Sequence, residues 1–173
     1  MIVSVRGILE AVGPDWVHLQ VGGISLQISV PGSDINELGP MGGQVRLFTH
    51  LRIRDEQPVL YGFSSTPAMQ LFIMLNGVSG VGPRLSLALL SSLGVSSLQQ
   101  AIANGDIASL SSAPGVGQRT AGRIALELKS KIDEGAADIG IPGGSDDAVV
   151  IESLMALGYS AVESRQALNG LQD

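Results

Sequence analysis

Residues 111–131, SSAPGVGQRTAGRIALELKSK, bring a turn proline, two glycines around a valine and a series of basic residues into 21 positions. Gly115 and Gly117 allow a backbone to pass close to a ligand and to take positive φ where the turn requires it. A helix opening directly behind them presents unpaired N–H groups and the positive end of its dipole to an anion. Arg119 follows two residues past the second glycine, and Arg123 one helical turn later. Such a site binds phosphate, either of a nucleotide or of a nucleic-acid backbone.

The nucleotide loops fit poorly. From Gly117, GQRTAGRI matches the first six positions of G-x-x-x-x-G-K-[ST]. It then has Arg123 in place of the lysine and Ile124 in place of the magnesium-binding hydroxyl. The dinucleotide pattern fails at Thr120, where a third glycine is needed. Both loops also follow a strand, whereas IASLSSA reads as helix. A polynucleotide backbone remains.

Self-similarity strengthens that reading. GVGPRLSLALLSSL starts at Gly80 and GVGQRTAGRIALEL at Gly115, an offset of 35 that superimposes Gly80 on Gly115, Val81 on Val116, Gly82 on Gly117, Arg84 on Arg119 and Leu93 on Leu128. Each copy reads as short helix, tight hairpin, longer helix. The valines are expected to plug their turns inward, and Pro83 suits a first helical turn because its missing N–H costs little there. An arginine beyond each second glycine adds charge reaching the same anion. Such hairpins grip phosphate oxygen and consult no base. In the last helix Ala121, Ile124, Ala125, Leu128 and Ile132 form an apolar face, and Arg119, Arg123, Glu127 and Lys131 a charged one. Glu127 and Lys131 read as solvated surface, Arg119 and Arg123 as phosphate contacts beside the hairpin mouth.

Three segments must carry these elements. Residues 1–63 contain five β-branched-rich runs, VSVRGILEAV, WVHLQV, ISLQISV, QVRLFTHLRIR and PVLYGF, separated by turn formers. Five short strands suit an OB-type barrel. Its aromatics Trp16, Phe48, Tyr61 and Phe63 read mostly as core, so the barrel is a scaffold more than a base-stacking platform. Residues 64–134 read as four or five short helices: Thr66-Pro67 marks a start, Asn104-Gly105 a stop and Asp106 a cap. Residues 135–146, GAADIGIPGGSD, read as a flexible linker. Two helices follow in 147–173, with Ser160 and Glu163 as a capping box. Helices of about ten residues are marginal alone, so this tail reads as incomplete or docked elsewhere.

The 173 residues are 45% hydrophobic, enough for packed cores, and no apolar run suggests a membrane span or a signal peptide. Cysteine is absent, which excludes disulfides, thiolate catalysis and cysteine-bound zinc and suits the cytoplasm. The net charge of −6 looks unfavourable for a nucleic-acid partner, but it is uneven. Residues 1–63 carry −2, 64–134 carry +1 and 135–173 carry −5. The acid lies mainly in the tail, which leaves room for a local basic site.

LYGF at the end of the barrel, GVGPRLSLALLS, PGVGQRTAGRIALELK and the late ALGYS follow one another as in the RuvA family of bacterial Holliday-junction-binding proteins. The chain resembles that family along nearly its whole length. The resemblance implies a multidomain α+β chain: an OB-fold barrel (1–63), a tandem helix-hairpin-helix DNA-binding domain (64–134), the linker (135–146) and a small UBA-like helical module (147–173). It implies that Gly80, Gly82, Arg84, Gly115, Gly117, Arg119 and Arg123 hold the backbones of junction arms. RIRDEQP, which by itself reads as a plain polar turn, then matches the family's acidic pin. Asp55 and Glu56 would stand at the junction centre and repel phosphates, in the order Asp-Glu where Glu-Asp is the family's expected order. Further implications are a homotetramer, with two tetramers able to clasp the DNA, and a RuvB-type ATPase motor contacted by the tail. Leu154, Met155, Leu157 and Tyr159 are the motor-binding candidates, though Leu154 and Leu157 suit the module's own core. A RuvC-type resolvase belongs to the larger complex. The family's tail has three helices where two are read here.

Two other classes compete. Glycosylases and nucleases also use such hairpins but need a catalytic aspartate or lysine just past the hairpin helix. Asp133 is the nearest acid after that helix and looks like a helix end beside the linker. His18 and His50 lie in barrel strands without partners for a metal, and no nucleophile–base pair stands out. No cofactor is expected. A generic duplex-binding or protein-interaction scaffold would leave the duplicated hairpins with less to do.

Overall fold

The computed structural model describes residues 2–54 and 56–138, with side chains through Lys129. The chain divides into two compact units, Met1–Asp133 and Glu134–Asp173. The expected capping box at Ser160 and Glu163, and the candidates Leu154, Met155, Leu157 and Tyr159, lie outside the described residues.

Five strands, β1 (Ser4–Val12), β2 (Trp16–Val21), β3 (Ile24–Ser29), β4 (Gln44–Arg54) and β5 (Gln57–Phe63), close a barrel in the order β1-β2-β3-β5-β4. Every neighbouring pair is antiparallel except β3 with β5. Burial alternates along β1, with Val5, Gly7 and Leu9 inward and Arg6, Ile8 and Glu10 outward, as a strand with one buried face requires. A register shift between Leu9 and Ala11 lets β1 bend into the closure. Val17, Leu19, Ile28, Val45, Leu47 and Leu60 complete a dry interior. Between β3 and β4 sits a four-residue helix that the sequence reading did not include, α1 (Gly32–Ile35).

Helices follow as expected, with two differences. In α2 (Thr66–Asn76) the capping residue is Ser65, one position earlier than Thr66. Its backbone is extended and its hydroxyl accepts from the Ala68 amide at 3.3 Å, which leaves Thr66 inside the first turn. In α3 (Pro83–Asn104) the two expected helices meet at a kink, where Gly94 has non-helical backbone at φ 69° and ψ 173°. Its 22 residues reach membrane-spanning length and apolarity only when the two halves on either side of Gly94 are counted together. Here Leu89, Leu90, Leu98 and Ile102 from both halves enter the protein's own core. After α4 (Ile107–Ser111), α5 (Gln118–Asp138) continues four residues into the stretch expected to be linker. Ala136 and Ala137 favour helix, and one glycine at 135 is a modest cost.

The barrel and the helices meet through aromatic rings and a buried carboxylate. Phe72 of α2 lies 4.9 Å from Tyr61 and 4.9 Å from Phe63, with His50 edge-on at 6.1 Å. Trp16 pairs with His18 at 4.5 Å, and Arg46 lies over Phe48. Of the four barrel aromatics expected mostly in the core, only Phe63 is fully buried, while Trp16, Phe48 and Tyr61 are half-buried against neighbours. Asp34, at the seam, accepts from the Ser64 amide at 2.9 Å, and the Gly32 amide donates to Ser91 Oγ of α3 at 2.7 Å.

Asp34→Ala leaves the Ser64 amide without its acceptor, and the expected loss is about 1–3 kcal/mol in urea unfolding. Asp34→Asn, which keeps a carbonyl oxygen, should lose less. Asp106 caps α4. Its carboxylate accepts from the Ser109 hydroxyl at 2.6 Å and the Ser109 amide at 3.0 Å. The hydroxyl bond first, then the amide bond, holds its pKa below the ordinary 3.8. Because the folded value is depressed, the cap's contribution is full above the unfolded pKa and is lost as pH falls through the folded one. An NMR titration of the Ser109 amide should therefore show its transition on the acid side of 3.8.

Candidate nucleic-acid interface

The two glycine turns are one structure built twice. Gly80 has φ 85° and Gly115 φ 83°, a region where a side chain would be strained. The valines behind them are buried, each 5% exposed, as predicted from the inward plug. The Val81 amide donates to Val78 O at 3.0 Å and the Val116 amide to Ala113 O at 3.1 Å. The next helix starts with Ser86 N to Gly82 O at 3.0 Å in the first copy and Ala121 N to Gly117 O at 2.9 Å in the second.

Only the first glycine of each pair takes positive φ. Gly82 is extended, at φ −107° and ψ 177°, and serves as the N-cap of α3 with Pro83 in the first turn. What the second glycines supply is access. A Cβ at Gly82 or Gly117 would meet nothing within 4 Å, so the space before each helix N-terminus is open. Among the described residues, the amides of Gly80, Gly82, Gly115 and Gly117 have no backbone acceptor. Unengaged backbone donors at a helix start are what an anion requires. The segment before the second turn, α4, is helix, so neither nucleotide loop has its strand.

The arginines differ from one another. Arg84 and Arg119 are exposed. Arg84 lines two grooves, one of about 520 Å³ between barrel and α3 with Asp15 and Tyr61, and one of about 410 Å³ with Pro114 and Gly115. Arg123 is half-buried, and its Nη1 donates to the carbonyl oxygen of Ser79 at 2.7 Å. Glu127 is exposed, as a solvated face predicts. The structure therefore brings Gly80, Arg84, Gly115 and Arg123 into one neighbourhood, with Gly82, Gly117 and Arg119 adjacent in the chain.

On the barrel, β4 and β5 pair to their ends at Arg54 and Gln57. Glu56 is exposed and held at φ 64°. Asp55 lies outside the described residues. Two residues before the end of β4, Arg52 Nη1 donates to Asn76 Oδ1 at 3.2 Å, and Asn76 Nδ2 donates to Phe72 O at 2.7 Å. This chain of bonds connects the strand of the acidic turn to the helix before the first glycine turn. Sequence reading missed Arg52, Asn76, Asp34 and Ser79, which carry no motif. Their roles depend on partners far along the chain.

Comparison with known proteins agrees with this geometry. Residues 1–62 match the model of the RuvA N terminal domain, and residues 72–130 that of the SAM-like helix-hairpin-helix tandem. A protein of Herpetosiphon aurantiacus named Holliday junction branch migration complex subunit RuvA is 42% identical over 177 residues, spanning 99% of this chain and 89% of its own. Proteins of the same name from Chloroflexus aurantiacus and Dehalococcoides mccartyi are 43% and 40% identical, over 99% and 100% of this chain. A closed five-strand barrel, a doubled glycine hairpin and identity of this order from end to end leave one conclusion: the chain belongs to the RuvA family.

Proposed function

We propose that this protein is a non-catalytic subunit that binds four-way DNA junctions by their backbones, without reading sequence, and serves an ATP-driven branch-migration motor. The observation that carries the reading is the matched pair of glycine turns, whose amides have no backbone acceptor and whose second glycines, Gly82 and Gly117, border open space at helix starts. Gly80, Gly82 and Arg84 would hold one stretch of phosphates and Gly115, Gly117 and Arg119 another. Arg123 belongs to the same surface with one donor already engaged. The relatives' shared name, that of a branch migration complex subunit, supports both the junction and the motor.

The functional division follows the segments 1–63, 64–134, 135–146 and 147–173, with the last contacting a RuvB-type motor. Asp55 and Glu56 act as the pin, where negative charge at a strand turn repels phosphate and favours separated strands. A homotetramer puts one protomer on each arm, two such tetramers can enclose the DNA, and a RuvC-type resolvase joins the larger complex. Cytoplasmic residence beside the chromosome suits these partners. The relatives' shared name gives the alternative of a hairpin-containing repair enzyme no support.

A gel-shift series should show tighter binding to a synthetic four-way junction than to linear duplex of the same sequence; equal affinity overturns the junction reading. Arg119→Ala should weaken binding to all sequences and lower the salt slope by about 0.9 for its lost phosphate contact. An unchanged slope would make Arg119 a mere surface residue. Asp55→Asn with Glu56→Gln should leave junction affinity intact or raised while altering strand separation in a branch-migration assay with the motor. A large loss of affinity contradicts the pin.

A further inference from the structure

A cleft of about 190 Å³ is lined by Arg52, Ile53, Val59, Tyr61 and Pro83. Tyr61 and Pro83 also line the groove of about 520 Å³ between barrel and α3, on whose wall Arg84 lies. The smaller cleft therefore opens beside the first glycine turn, since Pro83 directly follows Gly82. Its other wall is the end of β4, the strand that leads to Asp55 and Glu56.

The chemistry of this cleft differs from that of the phosphate clamps. Arg52 pairs with Val59 across the β4–β5 ladder and His50 with Tyr61, so these four side chains share one face of the sheet. Among the five lining residues only Arg52 is charged, and its Nη1 is bonded to Asn76. The other walls are aliphatic or aromatic. Tyr61 is half-buried, and its ring is backed by Phe72 at 4.9 Å. A single exposed isoleucine needs no explanation by itself. Ile53, 70% exposed, instead continues the apolar wall that Tyr61 and Val59 begin.

The cleft is smaller than the roughly 300–1,000 Å³ of sites that enclose a whole small ligand. It suits one flat heterocycle whose sugar and phosphate stay outside. Bases separated at a junction centre lose their stacking partners, and an aromatic or aliphatic surface can replace them. We propose that this cleft receives an unpaired nucleobase of the opened junction, stacked against Tyr61 and flanked by Ile53, while its sugar–phosphate chain stays on the first glycine turn. The occupant is a base of the same DNA because the cleft joins the first clamp through Pro83 and carries a cation on its wall. Stacking of this kind is indifferent to base identity, since every base has a π-face. The proposal rests on the junction reading above.

The test uses the full chain and two four-way junctions that both carry unpaired nucleotides at the crossover. In one these are mismatched bases and in the other abasic sites, so neither requires a pair to be broken. The mismatched junction should bind about tenfold tighter, the scale of one base–aromatic stack. Ile53→Ser, at an exposed position, and Tyr61→Leu, which keeps apolar bulk beside Phe72, should each remove most of that preference. Ile53→Ser carries the test if Tyr61→Leu fails to fold. Affinity for the abasic junction, and its salt slope, should match those of the unsubstituted chain because the phosphate contacts are untouched. Equal binding of the two junctions by the unsubstituted chain overturns the proposal. So does a variant that weakens both junctions equally, which makes Ile53 and Tyr61 structural only. Failure of the junction reading looks different: the abasic junction would then bind no better than linear duplex.

Discussion

A turn can hold something outside the protein only if its own folding leaves the turn's donors unclaimed, and only if the turn does not flex. The buried valine meets both demands at once. Val81 and Val116 each give one amide back to the preceding loop, and each drives its side chain under the turn. Full burial of such a side chain is worth about 1.5–3 kcal/mol. The anchoring is thus hydrophobic and placed between two glycines, so the glycine amides on either side need no internal partner to stay ordered. The helix behind then supplies its field without any change in conformation.

The rest of the molecule makes that device useful by giving it a stiff foundation. Phe72 packs among Tyr61, Phe63 and His50, and aromatic pairs of this kind add about 0.5–1.5 kcal/mol each beyond their buried area. Asp34 and Ser91 close the seam with hydrogen bonds across 30 and 59 residues of chain. Arg52 of β4 is also linked by hydrogen bonds through Asn76 to α2, the helix before the first glycine turn. Charge fits the same logic. A chain of net charge −6 can hold an anion because fields at physiological salt decay within about 8 Å, so helix termini and a few arginines govern their own neighbourhood.

Much of this was legible in the residues, for local reasons. The strand runs of 1–63, the offset of 35 and the inward valines depend on alternation, on turn sterics and on a pattern written twice. Where the reading slipped, a local rule had a near-equivalent neighbour. Ser65 and Thr66 are both good caps, and only the extended backbone at Ser65 decides between them. Gly135 suggested a linker, while the alanines after it prolonged α5.

The sequence by itself determined the kinds of element and the chemistry each offers: barrel strands, two glycine hairpins, helix starts with donors free, and arginines nearby. These follow from interactions among residues a few positions apart, whose geometry is set by covalent sterics. Only the tertiary structure decided which of the arginines is exposed and which is tied down. It also placed Leu85 against Gly115, joined Asp34 to Ser64, and directed Arg123 to a carbonyl before Gly80. Such pairings arise when separate cores pack, and backbone carbonyls, being present at every residue, leave no mark in the sequence to show which one will be met.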